Sequence, residues 1–108
     1  MKTHQAISPA AAYITADLLS GVVNSSVGTG KGAKLDCGIS TYGKTGTTDD
    51  DCDKWFVGFT PYYVGACWYG FDTPASISAA GVSGNPTVTA WNLVMEKIHE
   101  SLNNRFFL

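Results

Sequence analysis

A chain of 108 residues is one domain or a piece of one, with room for a single hydrophobic core. Its 44% hydrophobic and 15% charged residues exclude a disordered chain, and a net charge of −2 leaves no basic footprint for nucleic acid. No apolar run approaches the roughly 20 residues that span a bilayer, and the opening MKTHQAISPAAAY lacks the charged and apolar regions of a signal peptide.

The first predicted element is a helix. Ser8 is placed to cap it, Pro9 suits its first turn, and Ala11, Ile14, Leu18 and Val22 recur on one face up to Asn24. A glycine-rich loop, SSVGTGKG, follows. Three strand-like segments come next, at 39–47 (ISTYGKTGT), 54–60 (KWFVGFT) and 62–71 (YYVGACWYGF), rich in aromatic and β-branched residues. Short connections, TDDDCD and Pro61, favour an antiparallel meander. After the small-residue loop 72–85, Asn85 and Pro86 open a final helix with Val88, Trp91, Met95, Ile98 and Leu102 on its core stripe. His99 falls off that stripe and is expected on the solvated surface. The fold class is therefore α+β: a three-stranded meander flanked by two helices whose apolar faces cover the sheet.

Cys37, Cys52 and Cys67 form no C-x-x-C pair, and His4 and His99 lie near opposite ends, so no metal and no cofactor is expected. The cysteines are expected as small buried residues, with room for one opportunistic disulfide. Residues 38–45, GISTYGKT, spell the phosphate-binding pattern G-x-x-x-x-G-K-[ST]. That pattern works only between a buried strand and a helix N-terminus. Here GAKLDC precedes it, and the acidic GTTDDDCD that follows cannot start a helix soon enough and would repel a triphosphate.

Lys44-Thr45-Gly46-Thr47 suits a different chemistry. On a strand Lys44 and Gly46 share one face and Thr45 and Thr47 the other. Gly46 permits close backbone approach, and a free strand edge can pair with an extended peptide. A cation, two hydroxyls and backbone N–H groups beside one carbonyl suit acyl transfer.

GKTGTTDD followed by WFVGFTPYYVGACWYGFDTP resembles the third active-site motif and following strands of the class A penicillin-binding proteins. SPAAAYITADLLSGVV, GTGKGAKLD and NPTVTAWNLVMEKIHESL are similar to the helix, loop and terminal helix around them, so the resemblance runs through nearly the whole chain. It implies that residues 1–108 are the C-terminal part of a penicillin-binding, β-lactamase-like transpeptidase domain. In that family a serine attacks the D-Ala-D-Ala end of a peptidoglycan stem peptide, and β-lactams imitate the dipeptide. By resemblance Lys44 supports proton movement and the positive field, Thr45 and Thr47 bond the substrate carboxylate, Gly46 keeps the strand open, and the Thr47 N–H is an oxyanion donor. Trp55, Phe56 and Phe59 are assigned to packing. Tyr42 stands where the family more often has a small residue, and Cys52 and Cys67 are outside its pattern.

The family's other two motifs are Ser-x-x-Lys and Ser-x-Asn. No lysine here has a serine three residues before it. Ser83-Gly84-Asn85 and Ser101-Leu102-Asn103 match the second motif by spelling alone, after the lysine motif rather than before it. The isolated chain is thus expected to recognise substrate without turnover. The resemblance also implies an extracytoplasmic location for the membrane-anchored parent, with no membrane contact by this segment. An exposed apolar edge at 62–71 would invite pairing with a second copy. The alternative reading is a stand-alone, non-catalytic module that binds peptide or cell-wall fragments along the Lys44 strand.

Overall fold

The computed structural model describes residues 1–102. Helix α1 runs Pro9–Asn24, with the Ser8 hydroxyl accepting from the Ala11 N–H at 3.1 Å. A 3-10 turn at Lys31–Ala33 leads to β1 (Tyr42–Thr47), β2 (Asp53–Phe59) and β3 (Val64–Gly70), and α2 runs Pro86–His99. The strands form an antiparallel meander in the order β1-β2-β3. This is the α+β meander with flanking helices that the sequence predicts. β1 starts later than expected, at Tyr42 instead of residue 39; Ile39 and Thr41 are buried just before it, with the Thr41 hydroxyl donating to the Ile39 carbonyl at 3.1 Å.

Register sorts the strands into two faces. Gly43, Gly58 and Gly65 align across the sheet, and so do Thr45, Phe56 and Cys67. This is the inner face, where Phe56 is fully buried and meets Trp91 of α2 edge-to-face at 5.2 Å. Val23, Ala33, Leu35, Ile39, Val88 and Met95 complete the core around that pair. The outer face carries the alignments Tyr42–Phe59–Val64, Lys44–Val57–Ala66 and Gly46–Trp55–Trp68.

Four expectations need correction. The stripe on α1 is not covered: Ile14 is 59% exposed and Leu18 71%, and only Val22 and Val23 at its C-terminal end reach the core. Periodicity marks a face that wants cover, and among the described residues nothing buries Ile14 or Leu18. An apolar groove of about 490 Å³ lies open between Tyr13, Ala16 and Leu19 of α1 and Phe59 of β2.

The stripe on α2 is rotated: Val88, Trp91 and Met95 are buried, Ile98 is half exposed, and His99 is fully buried instead of solvated. The imidazole is paid for by hydrogen bonds. Its Nδ1 lies 2.7 Å from the Met95 carbonyl and its Nε2 2.7 Å from the Thr60 hydroxyl. A carbonyl only accepts, so Nδ1 carries the proton and Nε2 accepts from Thr60.

Trp55 is not a packing residue of the core. Alternation puts it on the outer face opposite Trp68, and both are nearly half exposed. Phe56 fills the core and Phe59 stacks on Tyr42 at 5.1 Å. The cysteines are not all interior either: Cys37 is exposed, Cys52 and Cys67 are half-buried, and all three are free thiols.

Candidate functional site

The Lys44–Thr47 segment lies in β1, whose neighbour on one side is β2; among the described residues no strand pairs with its other side. Continuous pairing from Tyr42↔Phe59 to Thr47↔Lys54 leaves no room for a bulge, so strict alternation holds. Lys44 and Gly46 therefore stand on the outer face, and Thr45 and Thr47 on the inner one. The exposed Lys44 ammonium donates to the Thr45 carbonyl at 3.1 Å. A Cβ on Gly46 would meet only the Trp55 Cβ at 3.5 Å, an ordinary contact, so internal packing does not demand glycine there. Gly43 is the opposite case. A Cβ there would lie 2.5 Å from the Phe56 ring.

The same strand disposes of the nucleotide pattern. Lys44 and Thr45 sit within β1, and β2 follows rather than a helix.

The glycine-rich loop comes to this strand. The Thr29 hydroxyl lies 2.8 Å from the Thr45 hydroxyl, across 16 positions of sequence. Nothing in the spelling of the chain singles out Thr29, although its flanking glycines are a signal of close packing. A Cβ on Gly28 would fall 2.1 Å from the Val22 carbonyl oxygen, and one on Gly30 3.0 Å from Phe56 and 3.1 Å from Val22.

At the far end of β1, the acidic turn is clamped. Asp51 adopts a left-handed φ of 58°. Its carboxylate accepts from Lys54 at 2.9 Å and from both the N–H and hydroxyl of Ser78, while its carbonyl accepts from the Ile77 N–H at 2.8 Å. The Lys54 ammonium and then the Ser78 donors hold the Asp51 carboxyl well below the usual carboxylate range. A depressed folded pKa stabilises the native state above the ordinary carboxylate value and loses that contribution as pH falls. The melting temperature should therefore drop on acidification below about pH 4, the ordinary aspartate value. Asp51→Asn keeps a residue that tolerates the left-handed turn, and it should flatten that part of the profile. An unchanged acid limb in the variant would remove this role.

Cys52 lies in the same turn. Burial pushes its thiol up, helped by hydrogen bonding to Asp50 and by the charges of Asp50, Asp53 and Asp51. Such a thiol is not an activated nucleophile. The Ser83-Gly84-Asn85 spelling is structural: Asn85 caps α2 by accepting from the Thr87 N–H at 3.1 Å and ties it to β2 by donating to the Trp55 carbonyl at 3.2 Å. The other spelling ends at Asn103, outside the described residues. Among the described residues no helix is long and apolar enough to cross a membrane.

This arrangement of helix, meander and helix is the architecture of part of a transpeptidase fold. The crystal structure of penicillin-binding protein 1A from Haemophilus influenzae matches it with a TM-score of 0.62 at 24% identity, over 88% of this chain and 15% of that one. Penicillin-binding protein 1A of Neisseria gonorrhoeae is 46% identical over 87 residues, covering 81% of this chain. The Clostridium botulinum protein of that name is 39% identical over 100 residues, covering 93%. Residues 1–75 match the family model described as the penicillin binding protein transpeptidase domain. The chain belongs to the penicillin-binding protein transpeptidase family. It spans 11–12% of the length of these two relatives.

Proposed function

We propose that the open edge of β1 is the strand on which a D,D-transpeptidase holds the carboxylate end of a peptidoglycan stem peptide or a β-lactam. The observation that carries this reading is the row Lys44-Thr45-Gly46-Thr47 on a strand side that no other strand of the described residues takes up. Lys44 supplies positive charge and supports proton movement. Thr45 and Thr47, on one face, hydrogen-bond the carboxylate, and the Thr47 N–H donates to the developing oxyanion. Gly46 leaves the space a substrate backbone needs, which agrees with its having no internal packing duty.

The full reaction belongs to a longer, membrane-anchored parent of the cell envelope, in which residues 1–108 form the C-terminal part of the transpeptidase domain. The isolated chain, with no Ser-x-x-Lys, binds without turnover. Intact-mass spectrometry after incubation with a reactive penicillin should show an unchanged mass. One drug mass added per chain would reveal a nucleophile and overturn the inactive-segment reading.

The apolar outer edge at 62–71, where Val64 is 72% exposed, also suits self-association of the isolated chain. Sedimentation as a monomer at high concentration would remove that proposal. The second reading, a stand-alone binding module, uses the same strand. A reading frame upstream of Met1 encoding Ser-x-x-Lys and Ser-x-Asn would decide against it.

A further inference from the structure

We infer that Thr29 is a positioning residue for the carboxylate site: its hydroxyl donates to the Thr45 hydroxyl and so commits the single Thr45 proton to the ligand. This rests on the proposed carboxylate site at Thr45. A carboxylate is an acceptor only, so a threonine that binds it must donate, and its own lone pairs then need a donor. Thr29 stands 2.8 Å away, with either hydroxyl able to donate in the free chain. Ligand binding selects one direction, from Thr29 to Thr45 to carboxylate, and bonds in such a chain polarise one another.

The loop is built to hold Thr29 there. The Gly28 N–H donates to the Ser25 carbonyl and the Gly30 N–H to the Val22 carbonyl, both at 3.0 Å, and the Lys31 ammonium reaches the Ser26 carbonyl at 3.3 Å. Side chains at Gly28 and Gly30 would collide with the end of α1 and with Phe56. The loop is thus pressed onto the core on either side of an exposed Thr29, which presents its hydroxyl to β1. Exposure also separates function from folding. In the free chain water replaces the Thr29 bond at little cost, whereas a bound ligand that covers Thr45 excludes that water.

The test is titration of the chain with an N-acylated D-Ala-D-Ala dipeptide, for the parental protein and for Thr29→Val, Thr29→Ser, Thr45→Val and the Thr29→Val/Thr45→Val double variant. Thr29→Val should weaken binding about 3- to 10-fold with an unchanged melting temperature, and Thr29→Ser should restore it. Without Thr45 the Thr29 hydroxyl has nothing to act through, so the double variant should bind no more weakly than Thr45→Val alone. Unchanged binding by Thr29→Val, or additive losses in the double variant, would overturn this inference and leave the carboxylate site standing. No binding by the parental chain, or full binding by Thr45→Val, would overturn both.

Discussion

Phe56→Ala should destabilise the fold by about 3–5 kcal/mol, the range for a buried aromatic cut back to alanine. The upper part of that range is expected because the site cannot collapse. Phe56 is fully buried, and its ring lies where Cβ atoms of Gly30, Gly43 and Gly58 would stand, at 3.0, 2.5 and 2.6 Å. Those glycines have no side chains to move into the space, and the Trp91 ring, edge-on at 5.2 Å, loses its partner. A loss of that size is a large share of the roughly 5–15 kcal/mol that holds an ordinary domain together. Chemical denaturation should show the midpoint falling steeply, or no folded baseline at all. A loss below about 1 kcal/mol would mean that Phe56 is not the centre of the core.

His99→Leu should cost about 2–3 kcal/mol although it replaces a polar residue with an apolar one of similar size. The reason is the partner left behind. The Thr60 hydroxyl accepts from the Tyr62 and Tyr63 N–H groups at 3.1 and 3.2 Å, and its proton goes to His99. Thr60 also closes the turn between β2 and β3, its N–H bonding the Tyr63 carbonyl at 2.9 Å. The Tyr62 and Tyr63 rings meet the imidazole edge-on at 6.0 and 5.5 Å, and His99 and Thr60 are both buried. In His99→Leu the Thr60 proton is buried without an acceptor, so the turn and the end of α2 loosen together. A double-mutant cycle with Thr60→Val should give a coupling of about 1 kcal/mol or more. Neutral behaviour of His99→Leu, as for a solvated surface residue, would contradict this account of the turn.

Both sites show what local patterns carry. The helix starts were legible because Ser8–Pro9 and Asn85–Pro86 are caps and first turns whose chemistry is local; the end of α2 was not, since the expected stripe ran on to Leu102 and the helix stops at His99. The meander was legible from strand composition and short links. Which residues share a face also followed from period, as Lys44 with Gly46 and Thr45 with Thr47. What covers a face did not. Ile14 and Leu18 repeat as a core stripe would, yet stand open. His99 sits beside the predicted α2 stripe, and its reason for burial, Thr60, is 39 residues away. Trp55 and Phe56 are both aromatic neighbours, and the space left beside the Phe56 ring by Gly30, Gly43 and Gly58 shows which one turns inward only once the fold is in place. The Lys44–Thr47 motif was read from its spelling, while Thr29 required the loop to be placed against β1.

The most direct measurement is an amide-resolved NMR titration of the chain with the N-acylated D-Ala-D-Ala dipeptide, repeated with Lys44→Ala. Shifts concentrated at 43–47 and in the facing loop around Thr29, with affinity about tenfold lower in Lys44→Ala, are the predicted result. Saturable binding that leaves the β1 amides unmoved, or no binding at all, would contradict the assignment of that edge as the substrate strand.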